Sequence, residues 1–252
     1  MTPPTRVPRG ALVATFLRSF SIQGSWNYHT LVGNGFAFAL LPVLKAIARG
    51  DDRELERGLC RHAELFNAHP YLSAVALGAT ARLEADGEDP EVIRRFKAAI
   101  RGPLGALGDA LVWAAWLPVT LLLALVFAFL GAAPWVSVLL FLVLYNIGHV
   151  GLRFWGFRAG LAAGKDVGLR LRAAHLGPAA DRIARWGAVL LGALAGVLVS
   201  GERGFGAPLW LWGPLAVGAF VAGLAGGQRA WRPAAFSVVA AVGFITLSRM
   251  MP

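Results

Sequence analysis

The 252-residue sequence holds a single cysteine, Cys60, which excludes an intrachain disulfide framework and a multi-cysteine metal site and leaves a reduced structural thiol as the expectation. Charge is also scarce, at 15% of residues, where soluble domains carry about 25%. Acids are the scarcer sign: 14 Asp and Glu stand against 24 Lys and Arg, for a formal net charge of +10. That excess does not point to nucleic acid, because the basic residues stand in short stretches beside apolar runs, where lipid headgroups and the positive-inside rule account for them. Residues 1–10 lack an apolar stretch followed by small residues, so no removable signal peptide is expected. No repeat of fixed length and no low-complexity tract appears beyond Gly/Ala-rich runs. The Lys-Ser/Thr ending of a phosphate-binding loop is missing too.

What is present is apolar: 57% hydrophobic residues and a mean hydropathy of +0.60. Such a chain needs a bilayer. Residues 110–130 form a continuous apolar run long enough to cross roughly 30 Å of hydrocarbon as a helix. A second run, 135–152, follows the uncharged turn Gly131-Ala132-Ala133-Pro134 and predicts a tight helical hairpin. Residues 153–186 then carry Arg153, Arg158, Lys165, Arg170, Arg172, Arg182 and Arg185 against Asp166 and Asp181, and read as a cytoplasmic basic segment. Gly- and Ala-rich runs near 187–200, 208–226 and 233–247 complete about five apolar segments, and alternation puts the C-terminus outside.

Residues 1–109 behave differently. The apolar stretch 31–48 is interrupted by Gly33, Asn34, Gly35 and Pro42, which predicts a broken or interfacial helix. Residues 51–67 carry charge at helical period, and Asp89-Pro90-Glu91 has the form of a helix start. The expected architecture is therefore an all-α polytopic membrane protein. Residues 1–109 form an interfacial or re-entrant region with cytoplasm-facing helices, and 110–252 a transmembrane region.

Sugar recognition in a membrane requires hydrogen-bonding side chains in place of water, together with an aromatic face for the ring's C–H surface. Gln23, Trp26, Asn27 and Asn34 offer that mixture. Trp26 and Tyr28 equally suit interfacial anchors, and Asn27 a helix cap. His62, Glu64, Asn67 and His69 fall within about two helical turns. A solvated face accounts for His62 and Glu64 as well, and a structural turn before Pro70-Tyr71 for Asn67 or His69. Asp109 either faces a pathway or caps a helix beginning at Ala110. The spaced glycines from Gly102 to Gly108 permit a tight turn or re-entrant hairpin. Asn146 and His149, three apart in the second span, suit helix-to-helix hydrogen bonding. The five histidines show no metal-ligand spacing, so neither a metal nor a cofactor is expected.

Several motifs recur in order: Leu17-Arg18-Ser19-Phe20, Gln23-Gly24-Ser25-Trp26-Asn27-Tyr28, Gly35-Phe36 and Leu41-Pro42. They continue through His62, Glu64, Phe66-Asn67, Pro70-Tyr71, Gly102-Pro103-Leu104 and Gly108-Asp109 to Tyr145-Asn146, Arg153, Trp155-Gly156 and Gly160. In these the chain resembles the IID subunit of the mannose/fructose/sorbose family of the bacterial sugar phosphotransferase system. The resemblance implies a non-catalytic inner-membrane permease subunit that pairs with a IIC subunit, in several IIC–IID pairs, to admit a hexose or related sugar. It also implies cytoplasmic IIA and IIB proteins that carry the phosphoryl group, so IID itself has no phosphohistidine. The sequence departs from the family pattern at His29, Ala110, Trp113 and Leu117. Those departures leave open a diverged IID-like protein with a structural or regulatory role and no transport. A membrane enzyme centred on His62, Glu64 and His69 is a third reading.

Overall fold

The computed structural model describes residues 7–200. Among them the regular structure is helical, and the only extended pairings are two isolated bridges, Asn27 to Leu31 and Leu31 to Phe66. Two compact units emerge: residues 7–111 with 146–177, and 112–145 with 178–200.

The first unit opens with α1 (Arg9–Arg18) and a 3-10 turn (Ser19–Ser21), followed by α2 (Gly33–Ala48) and α3 (Asp52–Ala63). Asp51 caps α3, its Oδ1 accepting from the N–H groups of Arg53 at 3.0 Å and Glu54 at 3.1 Å. After α4 (Ser73–Asp86) comes α5 (Pro90–Gly108), which starts as its sequence signature predicts: Asp89 accepts from the Glu91 N–H at 2.7 Å, and Pro90 sits in the first turn.

α4 is the centre of this unit. Every residue from Ser73 to Ala81 is buried, as expected of a helix that is apolar all round. At 14 residues it is only about 21 Å long, too short to cross a bilayer. It packs against α2 and α5 and against the C-terminal half of α7 (Pro134–Ala163). There Gly160 lies so close to the Val75 carbonyl that a Cβ would collide with it. Phe36, Leu40, Phe66, Leu72, Leu77 and Leu104 fill the surrounding core.

Two expected interruptions are absent. α2 runs unbroken through Pro42, because the one carbonyl that a helical proline strips of its partner, Phe38 O, accepts from Arg18 Nη1 at 3.3 Å. The Arg18 guanidinium also sits 4.7 Å from the Phe38 ring centre. Likewise Gly102 to Gly108 is the last part of α5 and forms no turn. The helix continues as a π-helix, Asp109–Trp116, into α6 (Leu117–Phe129). Asp109 therefore caps no helix start.

The second unit contains the hairpin of α6 and the N-terminal half of α7, joined at Gly131 in the left-handed conformation (φ 98°). Ala132 N–H closes α6 by bonding Phe127 O at 3.0 Å. Two helical stretches, Pro90–Phe129 and Pro134–Gly192, are long and apolar enough to cross a membrane. Only 22% and 6% of their apolar windows are buried, whereas a soluble core helix would be mostly enclosed. After the short α8 (Val167–Ala173), the run 187–200 is the C-terminal part of α9 (Leu176–Ser200) and not a separate short segment. The runs 208–226 and 233–247 lie outside the described residues.

Candidate functional site

Asn27 builds the first candidate element. Its Oδ1 accepts from the His29 and Thr30 N–H groups, both at 2.9 Å, while Nδ2 donates to Thr30 Oγ1 at 2.8 Å and Ser25 O at 3.2 Å. Every hydrogen-bonding position of the amide is thus occupied within its own turn. The turn carries Trp26 and Tyr28 on its outside, their rings edge-to-face at 4.8 Å and Tyr28 87% exposed. Gln23, Asn34 and Asn67 are exposed too. Leu31, in the left-handed region at φ 56°, redirects the chain into α2. Phe66 N–H donates to Thr30 O at 3.2 Å and Val32 N–H to Phe66 O at 3.1 Å, which fixes the turn beside the α3–α4 connector. The backbone thereby brings the Asn27 turn to the segment holding Glu64 and Asn67.

His62 belongs to a buried charged network. Its Nε2 lies 2.7 Å from Glu84 Oε1, which places the ring proton on Nε2. Arg61 reaches the same carboxylate through Nε at 3.1 Å and Nη2 at 2.8 and 3.0 Å. From α5, Lys97 Nζ donates to Arg61 O at 3.1 Å and His62 O at 3.3 Å, the last carbonyls of α3, where the helix dipole favours a cation. His62 Nδ1 is buried with no hydrogen-bond partner. A second proton would therefore have no acceptor. Burial first, then the Lys97 and Arg61 charges, push the His62 pKa down to about 4 against the opposing pull of Glu84. Burial opposes the Glu84 charge, but the His62 and Arg61 bonds and charges outweigh it and hold its pKa below the ordinary value. Glu64 stands outside this network and pairs with Arg94 at 2.8 Å on the surface.

His69 sits in a second cluster. Its Nδ1 accepts from the Tyr71 N–H at 3.2 Å, and its ring packs edge-on to Tyr71 at 5.0 Å. A Cβ at Gly108 would collide with its side chain, so only glycine fits that position of α5. Burial, followed by the Arg153 charge, lowers the His69 pKa to about 4. From α7, His149 stacks on Tyr71 at 3.9 Å and 21°. Arg153 donates from Nε to His149 Nε2 at 2.8 Å, within the same helix, and from Nη1 to Ser19 O at 2.6 Å. His149 thus meets the α3–α4 connector by ring stacking on Tyr71, and its hydrogen bond from Arg153 lies within α7, which is a different arrangement from helix-to-helix hydrogen bonding. Arg153 itself is only 3% exposed, whereas the sequence reads it as the start of a cytoplasmic basic segment. Asp109, next after Gly108, is exposed.

Neither cluster is complete in sequence reasoning. Glu84, Arg61 and Lys97 carry no motif of their own in the sequence. The signal for them was a buried histidine that required an acid. Among the described residues no group of three or more His, Cys, Asp or Glu could hold a metal ion.

The family described as the PTS system mannose/fructose/sorbose family IID component matches residues 6–205. This chain belongs to the IID component family. The IID chain is 31% identical over 176 residues to the PTS system mannose-specific EIID component of Escherichia coli K12, and 29% identical over 174 residues to the fructose permease IID component of Bacillus subtilis 168. Those alignments span 66% of the IID chain but only 60% and 62% of the relatives' own lengths. Two solved structures share its fold at 22% identity, each covering 96% of this chain and 98% of the other. One, described as a membrane protein, has a TM-score of 0.71, and the other, from the complex of the mannose transporter ManYZ with microcin E492, has 0.61. Family and apolar helices together make the IID chain a membrane protein.

Proposed function

We propose that this IID chain forms, with a IIC subunit, the pathway for phosphorylation-coupled uptake of a hexose or related sugar. The family match over residues 6–205 carries that reading, since it spans all nine candidate site residues. The rigid turn supports it: Asn27 is fully engaged in holding Trp26 and Tyr28 outward, a preorganised aromatic surface for a sugar ring. Gln23, Asn34, Asn67 and Asp109, all exposed, supply hydrogen bonding. His62 and His69 shape the scaffold beneath and carry no phosphoryl group, which IIA and IIB pass to the sugar. The chain lies in the bacterial inner membrane, with α3 to α5 and the basic segment inside, the 131–133 turn and the C-terminus outside, and about five apolar segments. Several IIC–IID pairs assemble.

Uptake of labelled hexose into cells expressing the chain with its cognate IIC, IIB and IIA is the test. Deleting this chain abolishes uptake. Trp26→Ala lowers it about tenfold, the factor given by about 1.4 kcal/mol of lost binding free energy, at unchanged protein level. Uptake that continues without the chain rejects the reading.

A further inference from the structure

Arg153 is a nearly enclosed guanidinium without an acid. Its hydrogen bonds run from Nε to His149 and from Nη1 to Ser19 O and Oγ, and its flat faces lie 4.9 Å from the Phe20 ring centre and 5.1 Å from that of Tyr71. Among the described residues no carboxylate lies within ion-pair distance, and Nη2 makes no hydrogen bond. Of the other strongly buried cations described in the first unit, Arg61 meets the Glu84 carboxylate and Lys97 meets two carbonyls at the end of α3, whereas Arg153 has one main-chain carbonyl, Ser19 O at the end of α1. A buried charge without a partner costs several kcal/mol, more in an apolar setting.

The surface above Arg153 is apolar. Val13, Leu17 and Phe20 form one exposed stripe along α1 and its 3-10 turn, and Ile147, Val150 and Phe154 another along α7. The stripes meet, with Phe16 edge-on to Phe154 at 6.0 Å and Phe20 5.5 Å from His149. On α7 the exposed Ile147, Val150 and Phe154 around Arg153 are apolar, while exposed Asn146 and Arg158 stand about two turns before it and just over one turn after it.

We propose that this face is the docking surface for a transmembrane helix of the IIC subunit, and that the helix brings one Asp or Glu side chain to Arg153. The proposal rests on the permease reading. Charge complementarity selects this occupant: an acyl chain would cover the stripes and leave the guanidinium unanswered, whereas a carboxylate on an apolar helix satisfies both. His149 and Ser19 hold Nε and Nη1 in place, which leaves Nη2 to the incoming oxygen. Arg153 acts here as a positioning residue for assembly.

Full-length chain carrying Arg153→Gln and co-expressed with cognate IIC recovers about thirtyfold less IIC on affinity purification, the lower end for losing one partner of a buried charged pair. Arg153→Glu is restored by replacing one, and only one, membrane-embedded acid of IIC with Arg. Because Arg153 variants can fail to fold, a benzophenone amino acid at Ile147 is introduced into the otherwise unaltered chain, and it cross-links to IIC. Wild-type recovery of IIC with Arg153→Gln, or cross-links only to lipid or within the chain, overturns the proposal. Hexose uptake separates the two ideas, since uptake that survives deletion of the chain defeats the permease reading while the cross-link still reports the docking face.

Discussion

His62 is held neutral by burial first, with the Lys97 and Arg61 charges adding to it and Glu84 opposing. Its folded pKa of about 4 lies below the ordinary 6.5, so the unfolded chain takes up a proton first as pH falls. The stability His62 confers is fully present above pH 6.5 and is lost progressively between 6.5 and 4, by up to about 3 kcal/mol. His69 loses stability in the same window. Glu84, depressed below its ordinary 4.5, adds a further loss as pH falls through its folded pKa. Thermal unfolding in detergent from pH 7 to 4 therefore shows a falling midpoint, and His62→Gln reduces the slope between 6.5 and 4 without abolishing it; a slope unchanged by the variant rejects the assignment. Arg18 and Pro42 make a second testable pair. Arg18→Ala costs about 1 kcal/mol by stripping Phe38 O of its donor, and costs less in a Pro42→Ala background, where a backbone N–H returns to that carbonyl. Equal costs in the two backgrounds remove Arg18 as the reason α2 survives its proline.

At the scale of elements, α5 acts as a strap. Arg94, Lys97 and Arg101 recur on one side and bond Glu64, the α3 carbonyls, and Leu65 O at 3.1 Å. Lys97 is buried and the two arginines are on the rim, so Lys97→Met costs about 1–3 kcal/mol and Arg101→Ala below about 1 kcal/mol in chemical unfolding. Gly108→Ala forces His69 to shift and destabilises by about 1–3 kcal/mol. The hydrophobic runs made α6 and α7 legible, as did Asp89 and Pro90 the start of α5, because those signals act within a few residues of themselves. Continuity of α2 was not legible: Pro42 argues for a break locally, and its remedy, Arg18, is distant in sequence. Gly102 to Gly108 misled for a related reason, since Gly108 is required by contact with His69 and bends nothing. The π-helix at Asp109 left no periodic trace in an apolar run. In the site, Asn27 suits a helix cap by residue type but closes its own turn instead, while Glu84 gives no local signal and Arg153 reads as one cation of a basic segment, because burial alone gives their charges meaning.

For the whole molecule, the charge distribution has to agree with a single orientation in the bilayer. α3 and α5 are the charged helices of residues 1–109, Arg158 lies in the last turns of α7 with Lys165 to Arg185 after it, and the 131–133 turn between the two spans carries no charge. In the proposed orientation, which follows the positive-inside rule, the first two groups lie in the cytoplasm and the turn outside. Cys60, on α3, is exposed and is the sequence's one cysteine, which makes it a native reporter. A membrane-impermeant maleimide labels Cys60 in inside-out vesicles and not in intact cells with a permeable outer barrier. In a Cys60→Ser background, Ala133→Cys gives the opposite pattern, because residue 133 is exposed on the turn. Labelling of both positions from one side removes the crossing by α6, and an exchange of the two patterns inverts the chain. The exchanged pattern also moves the Asn27 turn to the opposite side, since that turn is bonded directly to the connector that leaves α3 and so shares the side on which Cys60 is labelled.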